Sequence, residues 1–244
     1  MLKLRITLLA GSLCLAAATP ALAGPPYLTD DPTPTDKGHW EVLPFVTGGF
    51  SGDPEGDVGL DLSYGATDNI QLTATLPLGY ERPSGSGLRL GAGNIELAAK
   101  IRLLRQEESG LELAVFPRLY LPGSGSFADD HAAFLLPVFI GRSGETWSAF
   151  GGGGWGWNEG GGSKNYCQLG AVITRQVLPN LNLGLEGSYR TADVVDGEAS
   201  GIICLGAVYD VNETFHVLGY AGAEVANRAA NGDGVWYVSV LWVF

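Results

Sequence analysis

The sequence predicts an all-β protein, an antiparallel transmembrane β-barrel of about twelve strands with long extracellular loops and short periplasmic turns. Three observations predict this fold class. Apolar side chains recur at every second position in segments of roughly ten residues, the connections alternate between Gly/Ser/Asp-rich loops and tight turns, and the last segment ends on an aromatic residue.

The composition excludes several other classes of protein. Of the 244 residues, 45% are hydrophobic and only 16% are charged, a mix unlike that of a disordered tail or a coiled coil. Lys and Arg number 14 against 26 Asp and Glu, which gives a formal net charge of -12. This acidic balance leaves no basic surface for phosphate backbones, so we expect no nucleic-acid partner.

The first residues have the pattern of a secretory signal peptide. Lys3 and Arg5 precede an apolar run, and Ala21-Leu22-Ala23 forms a small-residue cleavage site. After it, no run approaches the ~18 apolar residues that a membrane-spanning helix needs. The predicted divisions are a signal peptide at 1–23, a periplasmic N-terminal segment at 24–37 and an outer-membrane β-barrel at 38–244.

Twelve segments carry the alternating pattern. In one of them, Leu72 and Leu76 share a face while Thr73 and Thr75 share the opposite face. Because successive side chains of a strand point to opposite sides, each segment presents hydrocarbon on one side and polar groups on the other. The segments lie near 38–50, 57–66, 69–81, 91–105, 110–122, 131–141, 145–157, 165–177, 180–190, 199–210, 213–224 and 234–244.

An exported β-sandwich would also alternate, and two features count against it. The polar face carries charges of both signs, which suits a wet or ion-paired lumen. Aromatic residues such as Trp155, Trp157 and Trp236 lie close to strand ends, where rings form the girdles of a membrane barrel. Loops are predicted at 51–56, 82–90, 123–130, 158–164, 191–198 and 225–233, with tight turns between them.

The polar face of the predicted barrel supplies the candidate lumen residues. They are Glu96, Lys100, Arg102, Glu112, Arg118, Tyr120, Glu186, Arg190 and Glu224. Two interpretations stay open: a ladder of charges that selects solutes in a pore, or ion pairs that satisfy a packed interior. Phe45, Phe116 and Phe150 share this face and would offer an apolar path to a ring-shaped solute.

The N-terminal segment carries a proline-rich motif. The sequence P-P-Y-L-T-D-D-P at 25–32 is followed by G-H-W-E at 38–41. This motif resembles the outer-membrane family named for the meta-pathway of phenol degradation, whose members are described as transporters. The resemblance implies a β-barrel that passes aromatic or other hydrophobic small molecules. The motif residues singled out are Asp30, Asp31, His39 and Trp40.

The acidic residues of this motif have more than one interpretation. Asp30, Asp31 and Asp36 beside His39 could hold a divalent cation. Asp before Pro also starts backbone turns, and we expect a turn because a full ligand spacing is missing. A third interpretation is a partial plug at the periplasmic mouth. We predict no metal site and no cofactor.

The most suggestive catalytic cluster is Asp129-Asp130-His131, on a predicted extracellular loop. Paired acids and an imidazole can activate water, but adjacent Asp, Asp and His are more often solvated loop residues, and no G-x-S-x-G elbow occurs. We therefore predict no enzyme and keep an outer-membrane hydrolase using Asp129, Asp130 and His131 as an alternative.

The predicted function is passive passage of small molecules, aromatic or hydrophobic ones among them, through a polar, charged lumen. The other alternative is a structural or adhesive barrel with a closed lumen. The C-terminal strand, with Trp242 and Phe244, resembles the terminal signal that the barrel-assembly machinery of bacteria reads. The expected partners are this machinery, outer-membrane lipid, lipopolysaccharide and a small-molecule solute, and the expected state is a monomer.

Overall fold

The strands form one antiparallel sheet that closes on itself. The structure is a computed structural model that describes residues 26–244, so the predicted signal peptide at 1–23 lies outside the described residues. Strand β1 (Trp40–Gly49) pairs with β14 (Gly234–Val243), which closes the sheet and excludes two packed sheets. The other strands are β2 Glu55–Thr67, β3 Ile70–Glu81, β4 Arg89–Ala92, β5 Ile95–Leu104, β6 Glu112–Val115, β7 Arg118–Leu121, β8 Ala133–Ser143, β9 Trp147–Trp157, β10 Tyr166–Leu178, β11 Leu181–Arg190, β12 Ser200–Asp210 and β13 Phe215–Glu224.

These segments make twelve wall strands, which confirms the predicted fold class. Two wall strands are each divided into two halves: β4 and β5 are separated by Gly93 and Asn94, and β6 and β7 by Phe116 and Pro117. The sequence pattern predicted both as unbroken strands. Pro117 has no N–H for the ladder, which is one reason the pairing is interrupted there.

The connections alternate as predicted between the two ends of the barrel. The end with short turns is the periplasmic end of the predicted topology, and it includes one helical turn, α1 (Gln106–Ser109), where a plain tight turn was expected. The loops at 82–88, 122–132, 158–165, 191–199 and 225–233 lie at the other end, and the last contains α2 (Arg228–Asn231). Among residues 26–244, no helix has the length and apolar character needed to cross a membrane.

The outer surface of the barrel is apolar. Outward side chains such as Ile173, Leu185 and Leu205 are exposed, with Leu205 at 70%, whereas the inward Glu186 and Cys204 are fully buried. This arrangement suits lipid outside, where an Arg or Lys at mid-depth would cost about 2–4 kcal/mol.

Aromatic rings mark both rims of the apolar surface. At the periplasmic end, the rings of Trp40 and Tyr64 lie 4.8 Å apart and those of Trp242 and Phe244 lie 4.4 Å apart. At the extracellular end, the Phe134 and Trp157 rings pair at 5.5 Å. Amphipathic rings favour the headgroup level, so these two bands have the positions of membrane girdles.

Candidate functional site: a lumen crossed by the N-terminal segment

The residues before β1 run inside the barrel. We call residues 26–36 the inner segment; Thr29, Asp31 and Thr35 of this segment are buried. Its prolines prevent it from joining the sheet as a strand. At the periplasmic end Lys37 forms an isolated bridge with Gly65, and Thr35 donates its N–H to the Gln71 side-chain oxygen at 2.8 Å. The segment predicted as periplasmic therefore turns back from the rim into the lumen.

One wall of the barrel holds the inner segment by charge. The Asp30 carboxylate pairs with the Arg118 guanidinium and lies 3.4 Å from Lys100 Nζ. Lys100 also donates to the Thr33 carbonyl at 3.4 Å. Burial raises the pKa of Asp30, but the charges of Lys100 and Arg118 outweigh burial and hold this pKa below its usual range.

Asp31 has a different environment from its neighbour Asp30. Its Oδ1 accepts the Thr33 N–H at 2.7 Å, which is the local turn that the sequence favoured for an Asp before Pro. Its Oδ2 lies 4.0 Å from Lys100 Nζ. Burial raises the pKa of Asp31 above its usual range, because Lys100 offsets the loss of hydration only in part.

The opposite wall holds the inner segment through one buried carboxylate. Glu186 on β11 is fully buried and accepts the backbone N–H groups of Leu28 at 3.0 Å and Thr29 at 2.7 Å. An ionised acceptor makes such bonds about twice as strong as neutral ones. The segment is thus fixed across the lumen between Glu186 on one side and Lys100 with Arg118 on the other.

Inward glycines provide space for the inner segment. Gly184 and Gly206 are paired in the register of β11 and β12, and a Cβ on either would overlap the Tyr27 ring or its hydroxyl. A Cβ at Gly170 would overlap the Thr29 hydroxyl, and one at Gly141 would press on Pro32 at 3.0 Å. These glycines leave the room that a backbone or ring needs to approach the wall closely.

Two cavities occupy the lumen on either side of the inner segment. The periplasmic cavity, of about 800 Å³, is lined by Asp30, Asp31, Phe45, Asp61, Arg118 and Tyr237 among others. The extracellular cavity, of about 870 Å³, is lined by Leu28, Thr29, Gln168, Arg190 and Glu224 among others. Each is large enough for a small organic molecule.

The predicted lumen residues fall into separate groups. Glu96, Lys100, Arg102, Glu112 and Arg118 come together on the wall formed by β5, β6 and β7. There the Arg102 guanidinium pairs with the Glu112 carboxylate. The Arg118 guanidinium pairs with Asp30 and also lies 3.6 Å from the Glu96 carboxylate. Arg118 and Lys100 also lie over the Phe116 ring, at 4.3 and 5.1 Å from its centroid. Tyr120 continues the inward row of β7, beyond Arg118 toward the extracellular end.

The remaining lumen candidates lie apart from this wall. Arg190 is near the extracellular rim, 3.3 Å from Asp193 and over the Tyr166 ring. Glu224 accepts the Ser200 hydroxyl at 2.5 Å and the Gly201, Ala226 and Asn227 N–H groups, so it holds loop backbone in place. Glu186 holds the inner segment.

The barrel resembles outer-membrane channels. An outer-membrane channel from Pseudomonas putida F1 superposes with a TM-score of 0.65 at 17% identity, over 88% of this chain and 98% of that chain. The NanC porin gives a TM-score of 0.61 at 8% identity, over 83% of this chain and 98% of that one. The KdgM porin gives 0.60 at 11% identity, over 84% and 99%. No protein-family model and no curated protein sequence matches the chain.

The loop residues Asp129 and His131 connect extracellular segments, and Asp130 lies beside His131. Asp129 accepts the Asn94 amide N–H at 2.6 Å and donates its backbone N–H to the Asn94 oxygen at 2.8 Å. His131 Nδ1 faces Asp130 Oδ1 at 3.1 Å, and Nε2 faces Asn158 Oδ1 at 2.8 Å. Asp129 and His131 therefore contact two different neighbouring segments, and Asp130 contacts the His131 ring.

The motif residues at the periplasmic rim do not join the lumen group. His39 is exposed and donates its backbone N–H to the Asp36 carbonyl at 3.0 Å. Trp40 and Phe244 exchange backbone hydrogen bonds at 2.7 and 3.1 Å, so the first and last strands meet there. Within residues 26–244, no group of three or more His, Cys, Asp or Glu is arranged to hold a metal.

Much of the contact between the inner segment and the β10–β12 wall is made by residues that were not predicted as site residues, namely Tyr27, Leu28 and Thr29. Their own residue types gave no signal. The signal lay in the wall, where Gly184 and Gly206 stand at inward positions of adjacent strands. Paired inward glycines indicate that something bulky lies against the wall.

Proposed function

We propose that this protein is a passive outer-membrane channel for small organic molecules, with aromatic and other hydrophobic compounds among its solutes. The observation that carries the proposal is the pair of cavities in series along the lumen, separated by a segment held only by non-covalent contacts. Such a segment can move aside without unfolding the wall. The fold that this chain shares with porins and an outer-membrane channel supports this function.

Two features support the choice of solute. Phe45, Phe116 and Phe150 line the periplasmic cavity, where they give ring-shaped molecules an apolar contact surface. The N-terminal motif, through its resemblance to the phenol meta-pathway family, favours the same class of compound. We propose that the protein works without a cofactor and catalyses no reaction.

The proposed location is the bacterial outer membrane. The apolar outer face and its two aromatic bands suit lipid and lipopolysaccharide as surroundings. Trp242 and Phe244 lie on the outward face of the last strand, where the assembly machinery would meet them. The proposed state is a monomer, and the sheet closes within one chain, so the wall needs no second copy to complete it.

Planar-bilayer recordings and liposome flux of phenol test this function. Wild-type protein is expected to give discrete conductance steps and to admit phenol. Arg118→Ala removes one anchor of the inner segment and is expected to raise the conductance, whereas Arg89→Ala, at an exposed pair with Glu81, is the matched control. Absence of both conductance and phenol flux would contradict a channel.

A structural or adhesive barrel is the second candidate, favoured by one observation. The inner segment is bound on both sides of the lumen, and a permanently docked segment would close it. That function predicts no conductance in wild type or in the Arg118→Ala variant, together with a measurable effect of loop deletions on cell-surface binding. A hydrolase has less support, because Asp129 is hydrogen-bonded to Asn94 and both ring nitrogens of His131 face acceptors, one on Asp130 and one on Asn158.

A further inference from the structure

The periplasmic cavity is strongly acidic. Among the described residues that line it, ten are Asp or Glu and four are Lys or Arg. Lys100, Arg102 and Arg118 are already paired with carboxylates of the wall or of the inner segment. A cavity with walls of low dielectric concentrates such a field, so it favours cations over anions.

Among the carboxylates that the wall strands place in this cavity, two lack a basic partner. Glu41 on β1 and Asp61 on β2 line the cavity, and within residues 26–244 neither lies within ion-pair distance of a Lys, Arg or His nitrogen. Asp61 accepts hydrogen bonds from the Thr75 hydroxyl at 2.8 Å and, more weakly, from Ser63 at 3.4 Å. Neutral hydroxyls do not compensate its charge.

One buried carboxylate oxygen of the cavity lining, Asp31 Oδ2, has no hydrogen-bond partner among the described residues. Asp31 is only 9% exposed. Asp31 Oδ2 lies 4.0 Å from Lys100 Nζ, which is too far for a hydrogen bond. Buried acceptors are normally satisfied, so this position calls for a donor supplied from the cavity.

A ladder of aromatic rings lines the cavity beside these carboxylates. Phe45 and Tyr237 are stacked with ring centroids 6.1 Å apart, and Tyr237 and Tyr220 are stacked at 5.6 Å. The three residues lie on the adjacent strands β1, β14 and β13, and all of them line the cavity. Aromatic faces attract both apolar rings and organic cations.

We propose that the periplasmic cavity binds organic monocations, an ammonium group carried on an apolar, preferably aromatic, body. The ammonium donates to Asp31 and to the unpaired carboxylates Glu41 and Asp61, and the body packs on the ladder of Phe45, Tyr237 and Tyr220. The cavity volume of about 800 Å³ accommodates a ligand of this size. This inference rests on the proposed function and names one class of solute for it.

Equilibrium binding to the purified full-length barrel in detergent tests the inference without requiring transport. The probes are benzylammonium, benzyl alcohol and benzoate, which share a ring and differ in charge, and the measurement is isothermal titration calorimetry. Benzylammonium is expected to bind about tenfold or more tightly than the other two. Equal affinities, or tighter binding of benzoate, would overturn the inference.

Three variants test which side chains of the periplasmic cavity bind the cation and its ring. Asp61→Asn keeps the shape of the side chain. It is expected to weaken the binding of benzylammonium about fivefold or more and to leave the affinity for benzyl alcohol unchanged. Asp53→Asn, at an exposed loop carboxylate, is the control and leaves all three affinities unchanged. Tyr237→Leu is expected to lower the affinity for both benzylammonium and benzyl alcohol. Heat-modifiable migration in gels checks that each variant is folded, and unchanged cation preference in folded Asp61→Asn would refute the site.

Flux measurements separate this inference from the proposed function. Binding of benzylammonium without flux of any solute would leave the cation site in place and contradict the channel. Flux of phenol without any preference for benzylammonium would leave the channel in place and contradict the cation site.

Discussion

Asp30 and Arg118 lie 88 positions apart in the sequence and form an ion pair inside the barrel, which fastens the inner segment to the wall strand made of β6 and β7. Lys100 on the neighbouring strand also attracts Asp30, with its Nζ 3.4 Å from Asp30 Oδ1. Since Glu186 holds Leu28 and Thr29 from the opposite wall, the segment is bound at two points across the lumen, in addition to the Thr35–Gln71 hydrogen bond near its periplasmic end. Release of the segment from the lumen therefore requires both sets of contacts to break.

Asp30→Asn is predicted to increase single-channel conductance, because Asn cannot form the ion pair with Arg118. The two side chains are 30% and 19% exposed, so the lost interaction lies between that of a surface pair and a buried pair, about 1–3 kcal/mol. That corresponds to a roughly five- to 150-fold shift in the equilibrium toward the undocked segment. Planar-bilayer recordings with Asp53→Asn as control measure it, and an unchanged conductance would count against the ion pair as an anchor.

Glu186→Gln is predicted to loosen the inner segment without opening the wall. Gln offers one acceptor oxygen, so one of the two charge-assisted bonds to Leu28 and Thr29 is lost, at about 1.5–3 kcal/mol. Hydrogen exchange of residues 27–34 should accelerate while exchange in β10 and β11 stays slow. Glu224→Gln is the matched control, since Glu224 binds the backbone N–H groups of Gly201 on β12 and Ala226 in a loop and not those of the inner segment. Equal protection of the segment in the two variants would contradict this role of Glu186.

The barrel could be predicted from the sequence because one local pattern, the alternation of apolar and polar side chains, repeats in the wall strands. Alternation along each strand places Leu72 outside and Thr73 inside whatever the distant parts of the chain do. The two interrupted wall strands were not predicted, because the side-chain alternation continues across Phe116 and Pro117 although the pairing does not.

The site was predictable only in part, for a physical reason. Inward charges such as Lys100 and Arg118 follow from alternation, and so does the inward Glu186. Their partners do not, because Asp30 and Thr29 reach them from a segment with no periodicity. A plug was one of three interpretations of that segment. The residues around Asp30 and Asp31 carry no local pattern that distinguishes a carboxylate in the lumen from one in a turn.

Gly184→Ala is predicted to destabilise docking of Tyr27, because the new Cβ would overlap the Tyr27 hydroxyl and lie 2.9 Å from Thr174 Cγ2. Overpacking of this kind costs about 1–3 kcal/mol. Gly187→Ala on the same strand is the control, since a Cβ there meets nothing within 4 Å. The apparent melting temperature, read from heat-modifiable gels, should fall in Gly184→Ala only. Tyr27→Ala in the Gly184→Ala background should restore part of it, and failure of that rescue would show that Thr174 alone causes the strain.

The contact of His131 with Asn158 is predicted to depend on pH. Asn158 Nδ2 donates to the Asp193 carbonyl at 3.3 Å, which turns Asn158 Oδ1 toward His131 Nε2, while Nδ1 faces Asp130. With an acceptor at each ring nitrogen, both bonds form only when the imidazole is protonated. The hydrogen bonds to Asn158 and Asp130 accordingly raise the pKa of His131 above its usual value.

A raised folded-state pKa means that this contact contributes fully below the usual histidine pKa of about 6.5 and is lost as the pH rises through the raised value. Hydrogen exchange of loops 122–132 and 158–165, corrected for the intrinsic pH dependence of exchange, should therefore be slower near pH ~5.5 than near pH ~9. His131→Gln should abolish the difference, whereas His39→Gln, at an exposed rim residue, should retain it. A His131 imidazole that titrates in NMR below the usual value would contradict the two-acceptor arrangement, because neutral imidazole would then be the form that the loops select.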